Sequence, residues 1–277
     1  MLSILVPTDY SPEAKNAMLY AYHFALYTNS TLILYHAMPA LIPISDIPYE
    51  NYYLDEMEEK NMLQDTFNNI LLAKNIDPGL VKTSSYVDIQ NQVTFGINEA
   101  FKRFNCDLVI MGTHGASGFR KIFLGSNTAK LIGDSEFPVL AIPGAYQFEP
   151  IYHLIYASDL NDLEDELELL IPFAKVFDAV LEIFYFDYAG PESEKLIVDA
   201  EIYIKSLAYN GISLSIKKGN LQLNLTENLK KHINYSNTQI LVMYRGLHTW
   251  FDNLVLGSNS QKMVFNAGLP ILVMQKR

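Results

Sequence analysis

The stretch Leu108-Val109-Ile110-Met111-Gly112-Thr113-His114-Gly115-Ala116-Ser117-Gly118-Phe119-Arg120-Lys121-Ile122-Phe123-Leu124-Gly125-Ser126-Asn127 decides how this chain is read. Its apolar start, Leu108 to Met111, predicts a buried strand, and Gly125-Ser126-Asn127 opens a helical pattern. Between them lies a glycine-bearing loop. Glycine lets backbone approach an anion closely, and the free amides of a helix N-terminus attract phosphate. Residues 108–133 hold Arg120, Lys121 and Lys130 but no acid, in a chain of net charge -11. That local reversal of sign suits a polyphosphate. No Gly-Lys-Ser/Thr follows the glycines, so the loop is not a Walker A motif, and a dinucleotide fingerprint would need three glycines within six residues.

The same strand-loop-helix pattern occurs twice. Leu5-Val6-Pro7-Thr8-Asp9-Tyr10 returns as Ile155-Tyr156-Ala157-Ser158-Asp159-Leu160. Leu124-Gly125-Ser126-Asn127-Thr128 returns as Leu256-Gly257-Ser258-Asn259-Ser260, and Phe137-Pro138-Val139-Leu140-Ala141 as Leu269-Pro270-Ile271-Leu272-Val273. An unchanged order in both halves implies duplication of a whole domain rather than a short solenoid repeat. Pro143-Gly144 and Glu149-Pro150 mark the join, giving domains 1–147 and 148–277. Strands are expected at 2–8, 31–38, 80–87, 107–112 and 138–142, then at 151–158, 180–187, 212–218, 239–244 and 270–275. In the first half helices fill the gaps, from Ser11-Pro12-Glu13, within 48–75 and at 89–104. Alternation of strand and helix predicts two tandem doubly wound α/β domains, each a five-stranded parallel sheet with right-handed crossovers. Ligands of such sheets bind beyond the strand C-termini, where the strand order reverses.

Composition narrows the function. The chain has 277 residues, 49% of them apolar and 18% charged, which suits packed cores and excludes a disordered or coiled-coil protein. No apolar run approaches the roughly 20 residues that span a bilayer. Met1-Leu2-Ser3-Ile4-Leu5-Val6 lacks the basic start of a secretory signal and reads as the first strand. The single Cys106 excludes an intramolecular disulfide and fits a reducing compartment, so a cytoplasmic location is expected. Residues 1–147 carry nine Lys/Arg against fifteen Asp/Glu, and residues 148–277 eleven against sixteen. Neither half has the basic excess of a nucleic-acid binder. No His/Cys cluster has metal-ligand spacing. His114 reads as a polar lining residue, and His23 and His36 as ordinary helix and strand residues.

Gly112, Gly115, Gly125 and Ser126 resemble the G-x2-G-x9-G-[ST] signature of the nucleotide-binding branch of the universal stress protein family. The resemblance covers nearly the whole chain. It implies an adenine nucleotide α-hydrolase-like fold, with the ligand crevice between the first and fourth strands. It also implies that Pro7, Thr8 and Asp9 touch the adenosine and that backbone at Ala37 reads the adenine edge. Gly112 and Gly115 would let the loop pass close to the ribose and α-phosphate, Gly125, Ser126 and Asn127 would hold the outer phosphates, and Met111 also counts among the nucleotide-binding residues. The ligand implied is ATP, with AMP and ADP as alternatives, and a magnesium ion would arrive through the phosphates. The last strands, 138–142 and 270–275, are sheet edges in the family's strand order. Unpaired edges invite pairing, so an intramolecular pseudo-dimer of domains is expected, within a homo-oligomer.

The second half departs from the signature. Aligning Gly257-Ser258 on Gly125-Ser126 puts Tyr244 at the place of Gly112 and Leu247 at that of Gly115, and Ala157 replaces Pro7. Trp250 and Phe251 add bulk, so this copy is expected to keep the fold without the ligand. Three functional readings follow: a stress-response protein that binds ATP in its first domain as a switch or scaffold, a slow ATP hydrolase or phosphotransferase, and a ligand-free dimerisation scaffold. Phosphoryl transfer needs a positioned nucleophile and acids that hold metal, and the loop contains no acid, so no catalytic residue is assigned.

Overall fold

In the computed structural model, residues 1–39, 49–113, 126–187, 193–218, 225–245 and 268–275 are described. They fall into two units, Met1–Phe148 and Glu149–Arg277.

The first unit runs β1 (Ser3–Pro7), α1 (Pro12–Thr28), β2 (Thr31–Met38), α2 (Tyr49–Leu72), β3 (Thr83–Ile89), α3 (Val93–Arg103), β4 (Leu108–Gly112), α4 (Ser126–Asp134) and β5 (Val139–Ile142). Its strands lie in the order β3-β2-β1-β4-β5. Every pairing is parallel, with Pro7 opposite Tyr35 and Ile4 opposite Leu108. The order reverses between β1 and β4, which have neighbours on both sides and are apolar along their length. Ile4, Leu5, Val6, Val109 and Ile110 are all fully buried. Ser11 caps α1 by accepting from Ala14 N at 3.2 Å, and Pro12 supplies a first helical residue with its φ already set. Asn29, in the left-handed region at φ 51°, ends the helix. Leu63, Phe67 and Leu71, four residues apart, form the buried stripe of α2.

The second unit repeats the plan with β6 (His153–Ala157), α5 (Leu163–Phe177), β7 (Val180–Asp187), α6 (Ser193–Ser206), β8 (Ile212–Lys218), α7 (Leu225–Tyr235), β9 (Ile240–Arg245) and β10 (Ile271–Gln275). The strand order β10-β9-β6-β7-β8 is again all parallel. Leu154 faces Ile240 as Ile4 faces Leu108, so the two halves correspond strand for strand. Asp178 ends α5 at φ 51°, as Asn29 ends α1.

All ten expected strands are present. The largest boundary corrections fall around β3, which spans Thr83–Ile89 rather than 80–87, so that α3 begins at Val93 rather than 89. Asp77-Pro78-Gly79 closes a short 3-10 turn over Pro78–Leu80, with the Asp77 carboxylate accepting from Gly79 N at 2.8 Å, and this turn delays the strand. None of the described helices is long and apolar enough to cross a membrane.

Candidate functional site

The first unit's candidate residues gather at the C-terminal ends of its strands. Pro7 closes β1 and Thr8, largely buried, donates its amide to Tyr35 O on β2 at 2.9 Å. A tight turn follows. The Thr8 hydroxyl accepts from Tyr10 N at 3.0 Å, and the carboxylate of exposed Asp9 accepts from Ser11 N at 3.0 Å. Tyr10 takes the left-handed conformation, φ 61°. Across the switch point, Met111 and Gly112 end β4, and Thr113 N donates to Ile142 O at 2.9 Å. The buried Thr128 hydroxyl donates to Gly112 O at 2.9 Å, which seats the first turn of α4 on the end of β4. Ser126 and Asn127 open α4 and are exposed. Ala37, near the end of β2, is half-buried. Pro7, Thr8, Asp9, Ala37, Met111, Gly112, Ser126 and Asn127 thus lie at one end of one sheet. Gly115 and Gly125 lie outside the described residues, as do His114, Arg120 and Lys121.

Three residues that the sequence reading passed over join this group. The His36 ring lies 4.6 Å from that of Tyr10, centroid to centroid, and its Nδ1 donates to Thr8 O at 2.8 Å. The His36 Nε2 faces Glu59 Oε1 of α2 at 3.6 Å, and the Tyr10 hydroxyl donates to the same oxygen at 2.6 Å. Burial, then the hydrogen bond to Glu59 and its charge, push the Tyr10 phenol far above its ordinary range, so it remains a donor. No spacing in the chain signals this trio, because 49 residues separate Tyr10 from Glu59.

The second unit keeps the turn and places a tyrosine where the first has Gly112. Ser158 N donates to Phe184 O at 3.0 Å, Leu160 N to the Ser158 hydroxyl at 3.0 Å, and Asn161 N to the Asp159 carboxylate at 3.0 Å. Leu160 sits at φ 65°. Each bond has its counterpart around Thr8, Asp9 and Tyr10. Strand register puts Tyr244 at the place of Gly112, since Ile240 pairs with Leu154 where Leu108 pairs with Ile4. The Tyr244 side chain is buried, its hydroxyl donates to Glu166 O at 2.7 Å, and its ring meets that of Tyr156 edge-on at 5.6 Å. Tyr156 in turn donates to the buried Glu166 carboxylate. Leu247, Trp250, Phe251 and Gly257 lie outside the described residues.

At the opposite end of the second sheet, the carboxylate of Glu182 on β7 bridges two imidazoles. His153 Nε2 lies 3.1 Å from one oxygen and His232 Nε2 2.8 Å from the other. Burial pushes the Glu182 carboxyl up, but hydrogen bonds from His153, His232 and Ser215 outweigh it and hold the group well below the usual carboxylate range. Among the described residues no set of three His, Cys, Asp or Glu side chains is placed to hold a metal ion.

Comparison with known proteins follows the same outline. The model of the universal stress protein family matches residues 1–143. The chain is similar in structure to a universal stress protein from Archaeoglobus fulgidus DSM 4304, with a TM-score of 0.70 and 21% identity over 99% of this chain and 98% of that one. It is also similar to a functionally unknown protein from Pseudomonas aeruginosa PAO1, with a TM-score of 0.59 and 16% identity over 100% of this chain and 93% of that one. At these identities the likeness concerns the fold, and it extends over both units. No curated protein matches the chain.

Proposed function

The chain belongs to the universal stress protein family, and from that premise we propose that its first unit binds one ATP per chain and acts as a nucleotide-dependent switch. The observation that carries the reading is the contrast at one position of the sheet. Gly112 leaves the end of β4 without a side chain at the switch point, whereas its counterpart Tyr244 fills the same place with a buried ring. An aromatic ring occupies about the space that a ribose needs, so the first crevice admits a nucleoside and the second does not. The chemistry of the donors fits as well. Thr8, Asp9 and the backbone near Ala37 offer acceptors and donors to an adenosine, and the exposed start of α4 at Ser126 and Asn127 offers amides to phosphate. Magnesium would come with the phosphates.

The switch reading rests on differential affinity: ATP shifts a conformation only where one state holds its phosphates better. The segment 112–127 carries the complementary charge of Arg120 and Lys121 without a carboxylate to activate water. The second unit serves in this proposal as a ligand-free scaffold, and the protein is a cytoplasmic homo-oligomer. Mass spectrometry of nucleotide released from freshly purified, denatured protein tests the ligand, and calorimetry tests the stoichiometry. One site per chain, abolished by Gly115→Val, is expected. Two equal sites per chain, or unaltered binding in the variant, would refute the assignment. Hydrogen exchange should show protection on ATP addition concentrated in 112–127.

A further inference from the structure

The trio Tyr10, His36 and Glu59 rests on the turn that carries Thr8 and Asp9, and its hydrogens can be placed. The Thr8 carbonyl can only accept, so the 2.8 Å contact puts the hydrogen of a neutral ring on Nδ1. A bare Nε2 lone pair then faces the Glu59 carboxylate at 3.6 Å, beyond hydrogen-bond reach. That carboxylate is held in place by the Tyr10 hydroxyl at 2.6 Å. Adding a proton to Nε2 turns an unfavourable approach of two electron-rich atoms into a charge-assisted hydrogen bond between β2 and α2. Both side chains are largely shielded, with 16% of His36 and 18% of Glu59 exposed, so the pair is only partly screened by solvent.

The second unit supplies an internal control. Phe184 pairs with Ala157 as Tyr35 pairs with Pro7, which puts Tyr185 at the place of His36, and Leu160 stands for Tyr10. The imidazole of His36 and the phenol of Tyr10 thus have no counterparts at their own positions in the second copy, although the turn beneath them is retained.

We propose that His36 is a proton-sensing positioning residue of the first unit's nucleotide site, drawing Glu59 and α2 against the ends of β1 and β2 when Nε2 is protonated. The proposal rests on the nucleotide reading given above. The groups facing the ring are Glu59 from α2, Tyr10 from the turn after β1, and the Thr8 carbonyl. The other charged groups on the adjoining described segments are Asp9, Asp88 opposite Ala37 on β3, and Glu56, Glu58 and Lys60 on α2. An imidazolium adds positive charge beside a crevice meant for a polyanion, and the closed pair stiffens its wall. Both effects favour the ligand. Affinity therefore rises as pH falls, and by reciprocity the ligand favours the protonated ring.

The test is ATP binding to the full chain by calorimetry between about pH 8 and pH 5.5, the range in which imidazole takes up its proton. Wild type is compared with His36→Gln, whose amide can still donate to Thr8 O, and with Glu59→Gln, which still accepts from Tyr10 without the charge. Titration of ATP's own phosphates is common to all three proteins and cancels in the ratio of affinities. Wild type should gain about five-fold over His36→Gln across that range, and Glu59→Gln should lose most of the gain. A purely structural role for Glu59 would change stability in that variant and leave the pH profile of ATP binding alone. ATP binding with the same pH profile in all three proteins overturns the proton link and spares the nucleotide reading. Absence of ATP binding at every pH overturns both.

Discussion

Gly96 and Tyr35 make a contact whose energetics can be worked from the structure. Gly96 lies in the interior of α3, and a Cβ added there would come nearer to the Tyr35 hydroxyl oxygen than the 3.0 Å that real Cβ atoms respect. The ring is itself buried against Tyr86, centroids 6.0 Å apart, so it cannot swing away. Replacing glycine by alanine in a helix interior ordinarily stabilises by about 1 kcal/mol. Overpacking at a buried site costs about 1–3 kcal/mol. Gly96→Ala is therefore expected to be destabilising by up to about 2 kcal/mol. Among the described residues the Tyr35 hydroxyl is buried without a hydrogen-bond partner, so Tyr35→Phe loses no bond there and should be close to neutral. With Tyr35→Phe in place, the nearest ring atom is 3.3 Å from the added Cβ and Gln90 Cγ is 3.1 Å, both relieved by small movements. There Gly96→Ala should stabilise by about 0.5–1 kcal/mol. The two substitutions thus couple by about 1–3 kcal/mol, well above the error of a double-mutant cycle. Urea unfolding midpoints of the four proteins measure this. Equal destabilisation by Gly96→Ala in both backgrounds would refute the steric argument.

Other expectations concern both units. Glu182→Gln should destabilise the second unit by about 2 kcal/mol at pH 7, because two charge-assisted hydrogen bonds become neutral ones, as measured by urea unfolding followed by circular dichroism. The folded carboxyl is held below its unfolded value, so its contribution is complete above the unfolded pKa and is lost as pH falls. Between about pH 5 and pH 3, below the ordinary imidazole range, the gap between wild type and variant should shrink by up to about 1.4 kcal/mol per pH unit. A constant gap would contradict the bridge. Thr128→Val removes the donor to Gly112 O and should cost about 1–2 kcal/mol in chemical denaturation, while weakening ATP binding in calorimetry by loosening α4 from β4. Tyr244→Phe should cost about 1 kcal/mol through loss of the bond to Glu166 O, and should leave the second unit without nucleotide binding.

The fold was legible because its signals are local. Apolar runs such as Leu108–Gly112 and Val139–Ile142 can only be buried strands, and Ser11-Pro12-Glu13 can only begin a helix. The late start of β3 escaped because Asp77-Pro78-Gly79 is turn chemistry inside an otherwise β-rich run. Backbone glycines at the candidate site could be found by spacing. Glu59 and Tyr10 could not, since their meeting depends on where α2 crosses the sheet and not on any interval along the chain. His36 looked like an ordinary strand residue for the same reason. Tyr244 was assigned to the place of Gly112 from a glycine 13 positions downstream, and the strand register puts the two at equivalent positions. What the residue does there, holding α5 through Glu166, needed coordinates.

The turn after β1 and its copy after β6 have a consequence for how an aspartate is interrogated. Leu160 sits at φ 65°, a costly backbone for a branched side chain, in a copy where Tyr244 stands at the place of Gly112. The same left-handed residue recurs at the same place in both units, Tyr10 at φ 61° and Leu160 at φ 65°, which ties it to turning a parallel strand into its helix. Asp9 and Asp159 each commit a carboxylate oxygen to the same amide two residues ahead. An aspartate at this position is thus a hinge pin before it is a ligand, and its loss in either unit will unsettle the strand-to-helix corner first. Asp159→Ala, in the copy proposed to bind no nucleotide, isolates that architectural share and gives the baseline against which Asp9→Ala can be judged.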